Sequence, residues 1–348
     1  MVKYFSDSPQ ELADFQSDFK NARKVVITSH QNPDGDAFGS GLGLYAYLKT
    51  LHFDSVAFIS PTDYADFLGW MPGVSDVVVY ESDQKEYAEK LMAEADLFFC
   101  LDFSAAARIK DMKDSLLASP AKKIVIDHHE QPEDFADYIF WNEKASSTCE
   151  LVYQFIDKIG DVEQINQESA ICLYTGLLTD TGSFKYEATS PEVHRIAGLL
   201  LAKGVVPNQI HRSLFDNNTL DRLKFLGYIL NKKLVYLPEF RVCYIKLSQK
   251  ELQKFNSKTG DTEGIVNYGL SMAGVVMSAI FIEKDGLIKI SFRSVDDFSV
   301  SDFSREHFEG GGHKNAAGGR SKQSLEETVE KFLNLLPYYK NQLLLQPK

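Results

Sequence analysis

Carboxylates and imidazoles recur where apolar runs stop. His30 closes the run Lys24–His30 (KVVITSH) and leads into Gln31-Asn32-Pro33-Asp34-Gly35-Asp36. Asp102 closes Asp96–Asp102 (DLFFCLD), and Asp127-His128-His129 closes Lys123–His128 (KIVIDH). Asp180 ends a further apolar segment, Leu177-Leu178-Thr179-Asp180-Thr181-Gly182-Ser183. Taken singly, each acid reads as a helix cap or turn former. Taken together, they predict a metal centre. Carboxylates crowded without a cation repel one another and bind protons instead, a conflict that divalent ions remove. Imidazole and carboxylate ligation without thiolate suits Mn²⁺ or Mg²⁺, and also Fe²⁺, Co²⁺ or Zn²⁺. Four Asp (Asp34, Asp36, Asp102, Asp180) and two His (His30, His128) exceed the needs of one catalytic ion. The expectation is two ions about 3.5–4 Å apart with one Asp between them.

A second constellation lies near the C-terminus, in Gly310-Gly311-Gly312-His313-Lys314-Asn315. Three successive glycines free the backbone to aim several N–H groups at one anion. A helix starting at Asn315 would add its positive end. Residues 310–322 carry Lys314, Arg320 and Lys322 and no acid, a local cationic patch. Arg293, near the end of an apolar run, is placed to join it. The bland alternative is a flexible turn.

The elements that position these residues follow from apolar periodicity. Strands are expected at Lys24–His30, Ser55–Ser60, Asp76–Tyr80, Asp96–Asp102 and Lys123–His128. Helices are expected at Ala37–Leu51, Glu86–Ala95, Ser147–Ile159 and Glu168–Thr179. β-Branched and aromatic runs between helices imply a parallel sheet covered on both faces, an α/β doubly wound domain. Ligands in such sheets bind outside the carboxyl ends of the strands, where the acids and imidazoles collect. Residues 191–203 and 219–233 read as helices joining two lobes. The remainder reads as a smaller α+β domain, with a hairpin turning at Lys284-Asp285-Gly286 and a helix at Leu325–Leu336. The division expected is 1–188 for the metal-binding catalytic domain, 189–224 for a helical linker and 225–340 for the substrate-binding domain.

Composition bounds the function. The 348 residues are 44% hydrophobic, 12% aromatic and 25% charged, enough to bury a sizeable core. With 37 basic against 49 acidic residues the net charge is −12, which excludes a long duplex held on a basic face. A polyanionic substrate is admitted only where local cations draw it in. Four cysteines without a CxxC pair read as buried residues of a reducing compartment. The N-terminal MVKYFSDSPQELADF carries no leader pattern, and no apolar run is long enough for a membrane span. A cytoplasmic enzyme or binding protein is expected, with oligomeric state, including a homodimer, left open.

These residues resemble a known family. Asp127-His128-His129 is similar to the signature of the DHH phosphoesterase superfamily, and the other motifs match in order. His30-Gln31-Asn32-Pro33-Asp34-Gly35-Asp36-Ala37 resembles the first motif, Asp102 with Ser104 and Arg108 the second, and Asp180-Thr181-Gly182-Ser183-Phe184 the fourth. Gly310–Gly319 resembles the glycine-rich loop of the DHHA1 domain. The nearest branch resembled is the NrnA-type oligoribonuclease and pAp phosphatase. The resemblance implies one ion on His30, Asp34 and Asp102 and another on Asp36, Asp102, His128 and Asp180, with Asp102 bridging and manganese the usual metal. It places Asp102, His129 and Arg108 in the catalytic set, His129 behind the ligands or donating a proton near the leaving oxygen. Arg293, Gly310, Gly311, Gly312, His313 and Lys314 would bind substrate. Phe103 stands where many relatives carry a small residue, and would alter the pocket's shape. The implied reaction is in-line hydrolysis of short oligoribonucleotides or pAp by water activated between two divalent ions. Cyclic dinucleotides or linear pApA and pGpG are the alternative substrates, and a nucleotide-binding regulator without catalysis is the alternative class.

Overall fold

The computed structural model describes residues 9–130, 132–258 and 260–345. The first eight residues, on which the reading of the N-terminus partly rests, lie outside them. The chain divides into two compact units between Asn217 and Asn218.

The first unit opens with α1 (Pro9–Asn21), which sequence periodicity had not singled out, and continues through β1 (Lys24–Ser29), α2 (Gly35–Leu48) and β2 (Ser55–Ser60). Then come β3 (Val78–Val79), α3 (Lys85–Glu94), β4 (Leu97–Leu101), α4 (Lys113–Ala118), β5 (Lys122–Asp127) and β6 (Tyr138–Trp141). The six strands pair in parallel in the order β3-β2-β1-β4-β5-β6. This is the doubly wound order, whose direction reverses between β1 and β4, and the crevice at that reversal is where such sheets bind ligands. β4 (LFFCL) is buried at every position, as a strand covered on both faces must be.

Helices α5 (Thr148–Lys158) and α6 (Gln167–Asp180) follow. Helix α6 packs against α2 at very short range. A Cβ on Gly39 would lie 2.7 Å from the Cys172 carbonyl, and one on Gly176 would lie 2.2 Å from Cys149 Sγ and 2.8 Å from Asp36 Oδ1. Glycine is required at both positions for this approach, which sets Asp36 at the start of α2 near Asp180 at the end of α6. Helices α7 (Pro191–Ala202) and α8 (Pro207–Phe215) are not a linker. Val193, Ile196, Leu200, Ile210 and Leu214 bury their side chains in the first unit's core, so that unit runs well beyond residue 188.

The second unit comprises α9 (Leu220–Lys232), β7 (Leu234–Leu237), β8 (Val242–Leu247), α10 (Gln249–Lys254) and α11 (Ile265–Leu270). It continues with β9 (Met277–Lys284), β10 (Leu287–Ser294), α12 (Val300–His307), β11 (Gly311–His313), β12 (Ala316–Ser321) and α13 (Leu325–Leu345). Its mixed sheet has the order β11-β12-β10-β9-β8-β7. No helix begins at Asn315. The glycine segment is instead one strand of a ribbon, β11 with β12, packed on α12. Ser301 donates to the Gly312 carbonyl at 2.7 Å and Ser304 to the Gly318 carbonyl at 2.6 Å. The glycines let the ribbon approach that closely, since a Cβ on Gly310 would lie 2.0 Å from the Gly318 carbonyl oxygen. Among the described residues no helix is long and apolar enough to cross a membrane.

Candidate metal centre

The reversal point of the first sheet gathers the predicted acids and imidazoles. His30 follows β1 and Asp102 follows β4, and His30 Nε2 lies 3.3 Å from Asp102 Oδ2. Asp34 caps α2, its Oδ1 accepting from the N–H groups of Asp36 and Ala37 at 3.0 Å each, while its Oδ2 stands 4.0 Å from His30 Nε2. Asp34 thus caps the helix with one oxygen and turns the other toward the imidazole of His30. His128 at the end of β5 directs Nε2 at three acids: Asp180 Oδ2 at 3.4 Å, Asp102 Oδ1 at 3.5 Å and Asp36 Oδ2 at 3.8 Å. Donor atoms of His30, Asp34 and Asp102 lie within 4.8 Å of one another, as do those of Asp36, His128 and Asp180.

Backbone and neighbours fix these side chains. Asp102 adopts φ +63°, a left-handed conformation costly for most residues and most easily adopted by Gly, Asn and Asp, and it is 2% exposed. His128 Nδ1 lies 3.1 Å from the Ala145 carbonyl and His30 Nδ1 lies 2.8 Å from that of Gln31. A proton on each Nδ1 makes these hydrogen bonds and leaves Nε2 to face the acids, the arrangement of metal-ligating histidines. His129 Nδ1 is 2.8 Å from Asp127 Oδ1, and the Trp141 indole donates to the His129 carbonyl at 2.6 Å.

The start of α5 is a part of the site that sequence reasoning missed. The N–H groups of Thr148 and Cys149 donate to the two oxygens of Asp36 at 2.6 and 2.9 Å, and the Thr148 hydroxyl donates to Asp102 Oδ1 at 2.8 Å. Ser147 caps the helix by accepting from the Glu150 N–H. The Ser-Ser-Thr start of that helix was a legible capping signal, but nothing in the sequence tied its free N–H groups to Asp36.

The electrostatics match the crowding. Burial, then the charge of Asp102, pushes Asp36 up to about 7. Burial, then Asp36, pushes Asp180 well above the carboxylate range. Burial also opposes ionisation of Asp102, but its hydrogen bonds with His128 and His30 hold it well below that range. Burial lowers His128 and His30, but their bonds to Asp102 together with the charges of the surrounding acids outweigh it, so both sit above the usual histidine value. This cluster retains protons because it has too much buried negative charge. Divalent cations are the species that its oxygen and imidazole donors fit.

Other predicted residues fall as follows. Arg108 is half-buried in the segment after β4, its carbonyl accepting from the Gln31 N–H at 2.8 Å and its charge acting on His30. Phe103 does not shape the site. It is 1% exposed and stacks at 6.4 Å on Phe135 within the apolar core on the other side of the strand. In the second unit Arg293 pairs with Ala316, and Ala316 with His313, so Arg293 and His313 lie in one row on one face of the sheet. The patch is less cationic than residues 310–322 alone imply. Lys314 Nζ is 2.8 Å from Asp297 and Arg320 Nε is 3.4 Å from Glu309, acids contributed by neighbouring segments.

Comparisons with known proteins identify the family. The model of the DHH family, N-terminal domain, matches residues 24–177, and that of the DHHA1 domain matches residues 239–340. A solved exopolyphosphatase-related protein of Bacteroides fragilis is 41% identical, with 97% of this chain and 98% of that one aligned at a TM-score of 0.91. The bifunctional oligoribonuclease and PAP phosphatase NrnA of Bacillus subtilis is 25% identical over 84% of this chain and 88% of its own length. Its counterpart in Thermus thermophilus is 29% identical over 89% of this chain and 88% of its own. The chain belongs to the DHH phosphoesterase superfamily, with a DHHA1 domain as its second unit.

Proposed function

We propose that this enzyme hydrolyses short oligoribonucleotides of a few residues and pAp, releasing nucleoside monophosphates, with two divalent ions, Mn²⁺ in the first instance. The observation that carries the reading is the division of Asp102 between two imidazoles, Oδ2 toward His30 and Oδ1 toward His128. In this reading His30, Asp34 and Asp102 hold one ion, and Asp36, Asp102, His128 and Asp180 the other. The ions supply charge neutralisation at the phosphoryl oxygens and a deprotonated water at neutral pH.

The chain's own groups do the rest. Thr148 and Cys149 hold Asp36 through their N–H groups. Asp127 accepts from His129 Nδ1–H and so supports the imidazolium form, whose Nε2–H would be the proton passed to the leaving oxygen. Arg108 answers charge near His30, and Arg293, His313, Lys314 and the backbone of Gly310, Gly311 and Gly312 bind a further phosphate of the substrate. The names of the NrnA relatives support the substrate class. A reducing, cytoplasmic setting belongs to the same reading, supported by four cysteines that are all free and buried.

The test is a substrate panel with Mn²⁺: 5′-phosphorylated tri- to pentaribonucleotides, pAp, pApA, cyclic di-AMP and pyrophosphate. The short RNAs and pAp are expected to have the highest kcat/KM. A preference for cyclic di-AMP or pyrophosphate overturns the assignment.

A further inference from the structure

The segment after Asp180 carries a strain that the ligand set does not require. Gly182, Ser183 and Phe184 are successive residues at φ +56°, +63° and +63°. A phenylalanine in this region is an outlier, and such strain collects at ligand clamps. Its effect is to send two aromatic rings in opposite directions. Phe184 turns inward, stacked at 5.5 Å on His194 and 5.9 Å from Tyr174. Tyr186 turns outward and is 42% exposed.

The turn that carries the outward ring is nevertheless braced. The N–H groups of Lys185 and Tyr186 both donate to the Thr181 carbonyl at 3.0 Å. The Thr181 side chain in turn accepts from Phe184 N–H at 2.9 Å and donates to the Leu177 carbonyl at 2.6 Å. The phenol end of Tyr186 lies flat on the backbone of Gly182. A Cβ there would stand 2.5–2.9 Å from Cζ, Cε2 and Cε1 of the ring. Lys185 Nζ lies 5.4 Å from the ring centre. A half-exposed aromatic ring, resting on Gly182 and with the Lys185 ammonium over it, is thus carried by a hydrogen-bonded turn just beyond Asp180. Bases of single-stranded nucleic acid stack on platforms of this chemistry.

We propose that Tyr186 is the seat on which a base of the substrate stacks, with Lys185 beside it for the adjoining phosphate. The inference rests on the proposed phosphoester hydrolysis and narrows its substrates to base-bearing ones. An inorganic polyphosphate has nothing to lay on the ring.

The experiment compares the wild-type chain with Tyr186→Ala and Tyr186→Phe in Mn²⁺, on pAp and on methyl ribofuranoside 3,5-bisphosphate, which lacks the base. Tyr186→Ala is expected to raise KM for pAp about 5- to 100-fold, with kcat within about threefold, and to leave the abasic substrate unchanged. Tyr186→Phe should retain wild-type KM. Equal loss on both substrates, or unchanged KM for pAp, overturns the seat. Calorimetric binding of AMP and of ribose 5-phosphate separates the two readings, because it needs no turnover. If the wild type hydrolyses nothing in the panel yet binds AMP more tightly than ribose 5-phosphate, and Tyr186→Ala removes that difference, the seat stands and the hydrolytic assignment fails. Equal binding of both ligands by the wild type removes the seat.

Discussion

The hydroxyl of Thr148 lies 2.8 Å from Oδ1 of Asp102, the oxygen that also faces His128 at 3.5 Å. Thr148 is buried and begins α5, so its position is set by a helix start and not by a loop. Replacing it with valine keeps the volume and deletes the donor. Groups that orient metal ligands typically contribute about 10- to 100-fold to affinity or activity. Thr148→Val should therefore raise the Mn²⁺ concentration for half-maximal activity by about that factor, while Thr148→Ser restores it. A metal titration of activity reads this directly, and an unchanged midpoint in the valine variant would mean that Asp102 needs no such support.

Asp102 is strained as well as central. Asparagine adopts its φ of +63° as readily as aspartate does, and has nearly the same shape. Asp102→Asn removes a charge that faces His30 and His128 and adds no steric conflict. The expected result is a folded protein, by circular dichroism, whose hydrolysis falls by at least about 10³-fold. Turnover near the wild-type level would remove this residue from the centre of the reaction.

Metal-free stability should depend on pH in one direction. Asp36 and Asp180 are raised in the fold, so their contribution is complete below the unfolded carboxylate value and is lost as pH rises, for Asp36 through about 7. His30 and His128 are also raised, so their contribution too is lost as pH rises through their folded values. Asp102 is lowered, and what it adds is lost only under strong acid. As pH rises from 5.5 to 8, Asp36, Asp180, His30 and His128 therefore all lose stabilisation in the metal-free chain, while the contribution of Asp102 stays constant. Mn²⁺ reverses this, because cation binding displaces the retained protons. The gain in Tm on adding Mn²⁺ to EDTA-treated protein should be larger at pH 8 than at pH 6, and an equal gain at both would contradict the cluster's charge state.

Legibility in the sequence follows sequence distance and local chemistry. Asp34, Asp102 and His128 each stand at the mouth of an apolar run, and period-2 or continuous burial announces such runs locally. That Asp36 and Asp180 gather at one site was read from where the acids fall, but their grouping on one side of it was readable only as a resemblance. It depends on Gly39 and Gly176 letting two helices touch across more than a hundred residues, which no local pattern encodes. The same limit hid Thr148. Residues 189–224 read as a connector because the Ser190-Pro191 start of α7 is a local signal, whereas the core that α7 and α8 cover is not. At Asn315 glycine misled. A run of small residues looked like a loop feeding a helix, but the register of β11 with β12 makes it a ribbon seated on α12.

That ribbon allows packing and ligand approach to be separated at adjacent glycines. A Cβ on Gly310 would strike backbone and a buried side chain, at 2.0 Å from the Gly318 carbonyl and 2.2 Å from Ser304 Oγ. Neither can yield without moving the hairpin, so Gly310→Ala should destabilise the second unit by about 1–3 kcal/mol. A Cβ on Gly311 would meet only the side chain of Arg305, at 3.4 and 3.6 Å, in ordinary contact. Packing therefore gives no reason for glycine at 311, and Gly311→Ala should leave Tm unchanged. If the strand backbone must lie against a substrate phosphate, the added methyl group will obstruct it, and KM for pAp should rise about tenfold with little change in kcat. Thermal melts paired with steady-state kinetics on the two variants give both readouts. A Gly311→Ala enzyme with wild-type KM would show that this part of the ribbon is built for folding alone.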